Sequence, residues 1–592
     1  MSSAEDRHPL AALEVETMVT ADTIANASPA GRAHGGPGRS STLSDGFTLG
    51  LMTALLLLWL LVTVAAPLAT LLVKSVQNNK GEFVGFANYA TYFATPTLVA
   101  SLSNSLWIAA VSTAIVIPLA FVYAYCLKRT CMPVKTLFLS IALLPIFAPS
   151  LLSAVSLIYI FGNQGFLKSW LMGGEIYGPL GIVIAQVFYC FPHAVLILTT
   201  ALALADQRLY EAASALGTSR LRTFLTVTLP GAKYGLISAT FVILTLVITD
   251  FGIAKVIGGQ FNVLATDAYK QVVGQQNFAM GAVVGFVLLV PALAAFVIDR
   301  IVQRRQVSLL SARAVPLEPK PNTLGDTIAT VYCMLVGGLI VGVIGVAVWA
   351  SFVTYWPYNL TLSLKNYNFA EFEAAGWAPY WNSLLMSSIV AVLGTIVIFV
   401  GAYVVEKARG LPAARGVIQL LAMVPMAVPG LVIGLAYVFF INAPWNPLGF
   451  LYGTIAVLAI NSIAHFYTVA HITAATALKQ IDPEFESVGA SLKVPVHTTF
   501  LRVTVPICTP TLLDIAVYLF VNAMTTVSAV IFLYGAHTKL AAISIVHMDE
   551  AGMSAAAAAM ATLVLLTALA VKLAHIGLDR LVFGKLQAWR GR

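Results

Sequence analysis

The sequence predicts an all-α, polytopic membrane protein of about twelve transmembrane helices, arranged as two parallel six-helix repeats. Of its 592 residues, 59% are hydrophobic and only 10% are charged, whereas soluble domains carry roughly a quarter charged residues. So few charges cannot cover a water-facing surface, and lipid must therefore surround the chain. In lipid, helices satisfy the backbone hydrogen bonds within each segment. Short motifs that recur in both halves predict the repeat.

Apolar runs of roughly 20 residues or more, the length that crosses hydrocarbon, recur along the chain. In the first half they lie near 48–74, 104–127, 136–162, 178–204, 234–258 and 279–299. In the second half they lie near 327–354, 383–406, 414–441, 451–477, 508–534 and 554–576. We therefore predict one membrane domain at 47–302 and another at 326–592.

The segments outside these two domains have different compositions. Residues 1–46 are rich in Ala, Gly, Ser and Thr and show no periodic apolar pattern, which is typical of a disordered tail. Residues 303–325 connect the domains and contain Pro316, Pro319 and Pro321. Prolines without a helical register favour a semi-rigid linker.

Three pairs of short motifs support the repeat. They are Asn88-Tyr89 with Asn366-Tyr367, Asn104-Ser105-Leu106 with Asn382-Ser383-Leu384, and Pro145 and Pro149 with Pro425 and Pro429. Each pair occupies the same place relative to the apolar runs of its half. Because each half has an even number of spans, the two copies share one orientation, as parallel repeats do.

Positive charge is concentrated in alternate loops. The basic segments are 128–135, 208–233, 300–320, 407–415, 479–502 and 580–592, while the loops between them hold single lysines. The positive-inside rule places the basic segments and both termini in the cytoplasm. The net charge of +8 therefore reflects membrane orientation, and we expect no nucleic-acid partner.

The loop between the fourth and fifth spans carries the most informative motif. Glu211-Ala212-Ala213 is followed by Gly217, Phe224 and Leu229-Pro230. Asp206 is placed to cap a first helix, Gly217 to end it with a positive φ, and Pro230 to mark a break before the next span. The apolar residues Leu221, Phe224, Leu225 and Val227 would line a second short helix. We predict a two-helix knob with an apolar face that a partner buries.

The second half carries a partial copy of this loop. Phe500 and Pro506 correspond to Phe224 and Pro230, Ser487 replaces Glu211, and Lys493 replaces Gly217. Glu486 stands one place before the expected glutamate, and Pro495 is placed to make the turn instead of a glycine. The two loops are therefore expected to contact a partner unequally.

The pattern E-A-A-x-x-x-G…L-P resembles the cytoplasmic coupling loop of permease subunits in binding-protein-dependent ABC importers, whose membrane fold is the type I permease. The resemblance extends over nearly all of 48–585. It implies a small-molecule solute, a cytoplasmic dimer of ATP-binding cassette subunits, a periplasmic solute-binding protein and a bacterial inner membrane. The residues that it assigns to ATPase coupling are Glu211, Ala212, Ala213, Gly217, Phe224, Pro230, Glu486, Phe500 and Pro506.

The chain contains no G-x-x-x-x-G-K-[ST] sequence, the loop that cradles ATP phosphates. We therefore expect a transport subunit that uses a separate ATPase, is not itself an enzyme and holds no cofactor or metal. A secondary transporter of the major facilitator type, which also has twelve spans in parallel halves, is the alternative class.

The resemblance extends to a substrate group. One long chain in place of two permeases is similar to the ferric iron, thiamine and phosphonate importers. Segments such as 249–252, 256–259 and 275–278 look most like permeases of 2-aminoethylphosphonate importers, with ferric iron or thiamine as alternatives.

Asp250 and Ser528 are the candidate solute-pathway residues. A carboxylate near hydrocarbon is costly and indicates a functional site by default. The alternative is that Asp250 pairs with Lys255 or caps a helix.

Overall fold

A computed structural model describes residues 41–307, 315, 317–407 and 412–583. Nearly all of the predicted N-terminal tail, part of the predicted linker and residues 584–592 lie outside the described residues.

The first half consists of helices joined by short turns. Its α-helices are α1 Ser41–Leu60, α2 Ala66–Ser75, α3 Ala87–Ala94, α4 Pro96–Arg129, α5 Lys135–Leu143, α6 Ser150–Phe161, α7 Pro179–Ala203, α8 Gln207–Ala215, α9 Arg220–Thr223, α10 Leu229–Thr249, α11 Gly252–Ile257, α12 Leu264–Tyr269 and α13 Phe278–Val307. Its 3₁₀ turns are Leu144–Phe147 and Lys168–Leu171, and its π-helical segments are Leu61–Ala65, Phe224–Thr228 and Lys270–Gly274.

The second half repeats this order and adds one hairpin. Its α-helices are α14 Thr323–Phe352, α15 Ala378–Lys407, α16 Pro412–Ala427, α17 Gly430–Ile441, α18 Ile455–His465, α19 Tyr467–Lys479, α20 Glu484–Ser491, α21 Val496–Thr499, α22 Val505–Ile507, α23 Thr509–Thr525, α24 Ala541–Glu550 and α25 Ser554–Leu578. Its 3₁₀ turns are Lys365–Tyr367, Phe369–Glu371 and Pro447–Leu451, and its π-helical segments are Phe500–Thr504 and Asp579–Phe583. Strands β1 Val353–Tyr355 and β2 Asn359–Leu362 pair antiparallel.

The predicted number of spans agrees with the structure. Among the described residues, eight helices are long and apolar enough to cross a membrane, and four bent helix pairs bring the number to twelve if each pair is one span. The all-α, twelve-span fold class that the sequence predicts is therefore confirmed.

The third span of each half is sharply bent, which the apolar runs did not predict. The two parts meet at 98° in the first half and at 116° in the second. At each bend a proline, Pro149 or Pro429, adopts φ −55° and ψ 141°. An extended ψ ends the first part, and the missing proline N–H removes a helical hydrogen bond there.

The fifth spans differ from the expected break at Pro230. Residues Arg220–Thr249 form one 30-residue helix through that proline, because the preceding π-helical segment Phe224–Thr228 changes the hydrogen-bond register where the proline N–H is missing. In the second half the span bends by 75° at Cys508. Pro510 follows there, a second proline that the first half lacks at the matching place.

The recurring motifs make the same contacts in both halves. Asn88 Nδ2 donates to the carbonyls of Ser75 and Gln77 at 3.0 and 2.7 Å. Asn366 Nδ2 donates to those of Ser351 and Val353 at 3.1 and 2.7 Å. Each asparagine therefore fixes the end of the first span of its half against the start of the next helix, and the repeat is structural as well as sequential.

The two halves interlock. Helix α2, in the first span, packs against α17 in the third span of the other half, and α14 packs against α6 in the reciprocal way. Tyr437 on α17 donates its hydroxyl to the Thr63 carbonyl at 2.7 Å across this contact. Solute pathways in transporters with internal repeats lie at such an interface between repeats.

Candidate functional site

Two matching knobs protrude from the membrane helices, one in each half. We define knob 1 as residues 206–230 and knob 2 as residues 482–506. Asp206 accepts a hydrogen bond from the Arg208 N–H at 3.1 Å, as predicted, and Asp482 accepts one from the Glu484 N–H at 2.9 Å. Side-chain acceptors at this place satisfy free N–H groups of a first helical turn, so both knobs begin in the same way.

The first helix of each knob ends in the same turn. Gly217 has φ 66°, as predicted, and Lys493 has φ 57°. In knob 1 the Thr218 N–H donates to the Ala213 carbonyl at 3.1 Å, and in knob 2 the Val494 N–H donates to the Gly489 carbonyl at 2.9 Å. This is the Schellman arrangement of a left-handed helix end.

The prediction that Pro495 makes the turn of knob 2 is therefore wrong. Lys493 makes the turn, and Pro495 precedes the first residue of α21. A lysine at this position pays a steric penalty that glycine avoids, and the hydrogen-bonded turn holds the backbone there nevertheless.

Three exposed apolar positions coincide in the two knobs. They are Leu209 with Phe485, Leu216 with Leu492, and Leu225 with Leu501. Leu216 is 81% exposed and Leu492 is 71% exposed. Both lie in loops between the apolar spans, where lipid does not cover them. A matched set of this kind indicates a face that another protein covers.

Phe224 and Phe500 face inward instead. Phe224 contacts the rings of Phe121 and Tyr125 on α4, with centroids 6.1 and 5.9 Å away. Phe500 contacts Phe399 and Tyr403 on α15, with centroids 5.9 and 4.7 Å away. Both rings hold a knob on its own membrane domain, which differs from the expectation that they anchor the partner.

Glu486 also serves to hold its knob in place. Its carboxylate lies 3.0 Å from Lys407 Nζ at the end of α15, and both groups are largely buried. In knob 1 the matching residue is Tyr210, whose ring lies under the Arg129 guanidinium at 5.1 Å. An ion pair in one half thus takes the place of a cation–π contact in the other, and a role of Glu486 in ATPase coupling stays a prediction.

The remaining predicted coupling residues lie on the surface of their knobs, apart from Ala213. Glu211, Ala212, Pro230 and Pro506 are exposed, whereas Ala213 is buried within knob 1. Glu211 accepts a hydrogen bond from Gln207 Nε2 at 2.7 Å. Ala213 corresponds to Gly489, where an added Cβ would lie 3.0 Å from Thr499 Oγ1, so small residues let the two helices of a knob approach each other.

The segment between the halves contacts knob 1. The Gln207 N–H donates to the Val315 carbonyl at 2.9 Å, and the Glu318 N–H donates to Gln207 Oε1 at 3.3 Å. The two knobs therefore differ in their surroundings as well as in their turns. The sequence contained no signal for this contact.

Asp250 acts as a helix cap in this structure. Its Oδ2 accepts hydrogen bonds from the Ile253 N–H at 2.9 Å, in the first turn of α11, and from Gln186 Nε2 at 3.1 Å. Lys255 pairs with Glu550 instead. Ser528 is half-buried beside Gly430, and Gly252 lies beside Ser150 in the same way in the first half. A solute-pathway role for Asp250 and Ser528 stays a prediction.

Comparisons with known proteins place the chain among transport permeases. Residues 116–308 match the family described as the inner membrane component of binding-protein-dependent transport systems. The chain is 27% identical over 494 residues to the ferric transport system permease of Actinobacillus pleuropneumoniae, covering 80% of this chain and 70% of that protein. This chain is a fused ABC importer permease. That identification sets aside the secondary-transporter alternative.

Two further relatives indicate the breadth of the group. A Haemophilus influenzae protein, provisionally described as a ferric transport system permease, is 28% identical over 463 residues, or 75% of this chain and 71% of that protein. A Salmonella typhi protein, provisionally described as a 2-aminoethylphosphonate transport system permease, is 26% identical over 266 residues, or 42% of this chain and 92% of that protein. The permease is thus a multi-pass inner-membrane protein of type I fold.

A cavity of about 740 Å³, including its open mouth, lies between the halves of the permease. The first half contributes Leu143, Phe147 and Leu196 to its wall, and the second half contributes residues of α19, α23 and α25. Most of the wall is apolar. Neither Asp250 nor Ser528 lines it.

At the opposite end of the permease from the knobs, polar side chains connect the halves. Lys255 on α11 forms an ion pair with Glu550 on α24 and lies 4.8 Å from the centre of the Tyr269 ring. Tyr269 in turn stacks on Phe532, with centroids 6.1 Å apart. Burial, followed by the Lys539 charge, lowers the pKa of the nearby His547. These contacts hold the two halves together at that end.

Proposed function

We propose that the two knobs are the docking surfaces for two ATP-binding cassette subunits, through which the permease moves a solute with energy from ATP. The observation that supports this most is the matched set of exposed apolar residues at Leu209 and Phe485, Leu216 and Leu492, and Leu225 and Leu501. A closing ATPase dimer transmits work only if it binds one permease state better than the other.

The experiment changes one exposed residue of each knob. Leu216→Asp and Leu492→Asp place a charge in the proposed contact, and the double variant should lose co-purification of the ATPase subunit. The control is Leu364→Asp, which alters a residue that is 70% exposed in a loop away from the knobs. It should leave binding unchanged. Normal uptake with the ATPase still bound to the double variant would contradict the proposal.

The permease alone should hydrolyse no ATP, since the sequence has no phosphate-binding loop of the P-loop type. Purified chain without its partner should show no turnover above a detergent blank, and hydrolysis should appear only when the ATPase subunit is added. Robust hydrolysis by the isolated chain would contradict this part of the proposal.

For the solute we propose 2-aminoethylphosphonate, delivered by a periplasmic solute-binding protein. Support comes from the resemblance of segments such as 249–252 and from the similarity to the Salmonella protein over 42% of the chain. Ferric iron is the second candidate, because the relatives described as ferric permeases match 75% and 80% of the chain.

Uptake measurements separate these two solutes. Cells that contain the chain and its partners should accumulate radiolabelled 2-aminoethylphosphonate and use it as the sole phosphorus source, and deletion of the chain should abolish both. If deletion instead abolishes uptake of radioactive iron and leaves phosphonate uptake intact, ferric iron is the solute.

A further inference from the structure

The cavity between the halves has one carboxylate and one ammonium group in a mostly apolar wall. Asp514 on α23 and Lys572 on α25 both line it, together with Thr473 and Asn522. Both charged residues lie in the part of their helices nearer to the knobs, since α23 begins at Thr509 and α25 ends at Leu578. Charged groups within a transmembrane bundle are costly and mark solute pathways by default.

His575 connects these two charges. Its Nε2 lies 3.2 Å from Asp514 Oδ1, and its Nδ1 lies 3.5 Å from Lys572 Nζ. Nε2–H is placed to donate a hydrogen bond to the carboxylate, and Nδ1 faces the ammonium group. The His575 ring therefore lies between the acidic and the basic group and keeps them apart.

The Asp514 side chain remains 27% exposed, and it meets Lys572 only through His575. Lys572 is 3% exposed, so its cavity-facing portion is small and shielded. The arrangement therefore leaves the carboxylate accessible from the cavity, with a buried cation behind it in the wall.

The first half does not repeat this cluster. Ser238 stands where Asp514 stands in the second half, and it is buried. Phe296 stands where Lys572 stands, and the buried Asp299 stands where His575 stands. The two halves therefore place different groups here, which suits a small, asymmetric solute with two different ends.

We propose that this cavity is a binding site for a small zwitterion, with the cationic end of the solute at Asp514 and the anionic end toward Lys572. The site rests on the proposed transport function and assigns residues to the two ends of the solute. A bare metal cation suits the cavity poorly, because hard cations take several oxygen ligands and an ammonium group lies beside the single carboxylate.

The test uses the purified full chain in lipid nanodiscs, with calorimetric titration of three probes. 2-Aminoethylphosphonate carries both ends, ethylphosphonate lacks the amine and 2-aminoethanol lacks the phosphonate. The native chain should bind the zwitterion at least tenfold more tightly than either partial molecule. Equal affinity for all three probes, or no binding of the zwitterion, would overturn the proposal.

Two variants assign the ends of the solute. Asp514→Asn should abolish the preference over ethylphosphonate, and Lys572→Met should abolish the preference over 2-aminoethanol. Asp514→Glu should restore part of the first preference, and Ser238→Ala is the matched control that should change nothing. Unchanged preferences in both charge variants would overturn the assignment.

ATPase co-purification, measured on the same variants, separates this proposal from the proposed function. No residue of either knob lines the cavity, so Asp514→Asn and Lys572→Met should still bind the ATPase subunit. Loss of zwitterion preference with retained ATPase binding supports the site. Variants that bind the ATPase normally and also keep every probe affinity contradict the site while leaving the docking proposal intact.

Discussion

Lys493 adopts a backbone conformation that residues with a Cβ rarely adopt. Its φ of 57° matches the 66° of Gly217, and left-handed geometry costs a non-glycine residue roughly 1–2 kcal/mol. The hydrogen bonds of the turn are nevertheless the same in both knobs. The turn of knob 1 therefore favours glycine but does not require it. It excludes only residues that cannot adopt a positive φ.

We predict opposite effects of exchanging these two residues. Lys493→Gly should stabilise knob 2 by about 1 kcal/mol, and Gly217→Lys should destabilise knob 1 by a similar amount while the ATPase still binds. Gly217→Pro should disrupt the turn, because proline fixes φ near −65°. Thermal unfolding and ATPase co-purification check each variant. A destabilised Lys493→Gly variant would show that the lysine side chain itself stabilises the turn.

The pair of Lys407 and Glu486 connects knob 2 to its span at 3.0 Å. Lys407→Met should destabilise the permease by roughly 1–3 kcal/mol, since it leaves a largely buried carboxylate unpaired. The double variant Lys407→Met with Glu486→Leu should recover much of this loss.

A double-mutant cycle of unfolding free energies measures the coupling between the two side chains. The matching cycle for Arg129 and Tyr210, whose contact is cation–π, should give a smaller coupling energy of about 0.5–1 kcal/mol. Additive single effects at Lys407 and Glu486 would contradict the ion-pair interpretation.

Each knob joins its fifth span through a π-helical segment at the same place, Phe224–Thr228 and Phe500–Thr504. Such a segment holds one more residue in its turn than an α-helix would, and the helix is wider there. The inward rings of Phe224 and Phe500 begin these segments. We therefore expect the π-helical turn to affect the direction in which the exposed face of each knob points.

Deletion of one residue from a π-helical segment should displace the knob. Thr226 and Arg502 occupy matching exposed positions, and deletion of either should close the wide turn to α-helical geometry and shift the knob relative to its span. The altered knob should lose most of its ATPase binding while the chain still assembles in the membrane. Deletion of Gly173, in a loop away from the knobs, is the control. Retained ATPase binding after both deletions would show that the segments do not orient the knobs.

At the scale of the whole molecule, the halves are joined reciprocally, since the first span of each half packs on the third span of the other. A fused chain guarantees that both halves are present in equal number. The cavity lies between them at the knob end, and the Lys255–Glu550 ion pair connects them at the opposite end. An opening between the halves at one end and contacts at the other is the arrangement that alternating access requires.

Labelling of single cysteines should show which end faces the cytoplasm. In a chain whose five cysteines are replaced, a membrane-impermeant maleimide added outside should reach cysteine at positions 168 and 365 and miss it at 220 and 493. All four positions are exposed. The distribution of basic residues predicts this pattern. Labelling of only positions 220 and 493 would show that the orientation is the reverse and would contradict the docking proposal.

The sequence by itself determined the membrane class, the number of spans, the repeat and the location of both knobs. These features depend on local composition and on short motifs, such as Asn88-Tyr89 and its copy, that need no partner to be recognised. It also predicted the left-handed Gly217 and the cap at Asp206, because both follow from the backbone demands of one helix end.

Only the tertiary structure decided which apolar residues are buried and which are exposed. Phe224 and Leu225 are adjacent and both apolar, yet the first packs on α4 and the second is exposed. Lipid-facing, partner-facing and buried positions share one composition in a membrane chain, so hydropathy does not separate them. The contacts of Glu486 with Lys407, and of Asp514 with His575, join residues far apart in the sequence. Which distant residues meet depends on how the helices pack, and no local pattern records it.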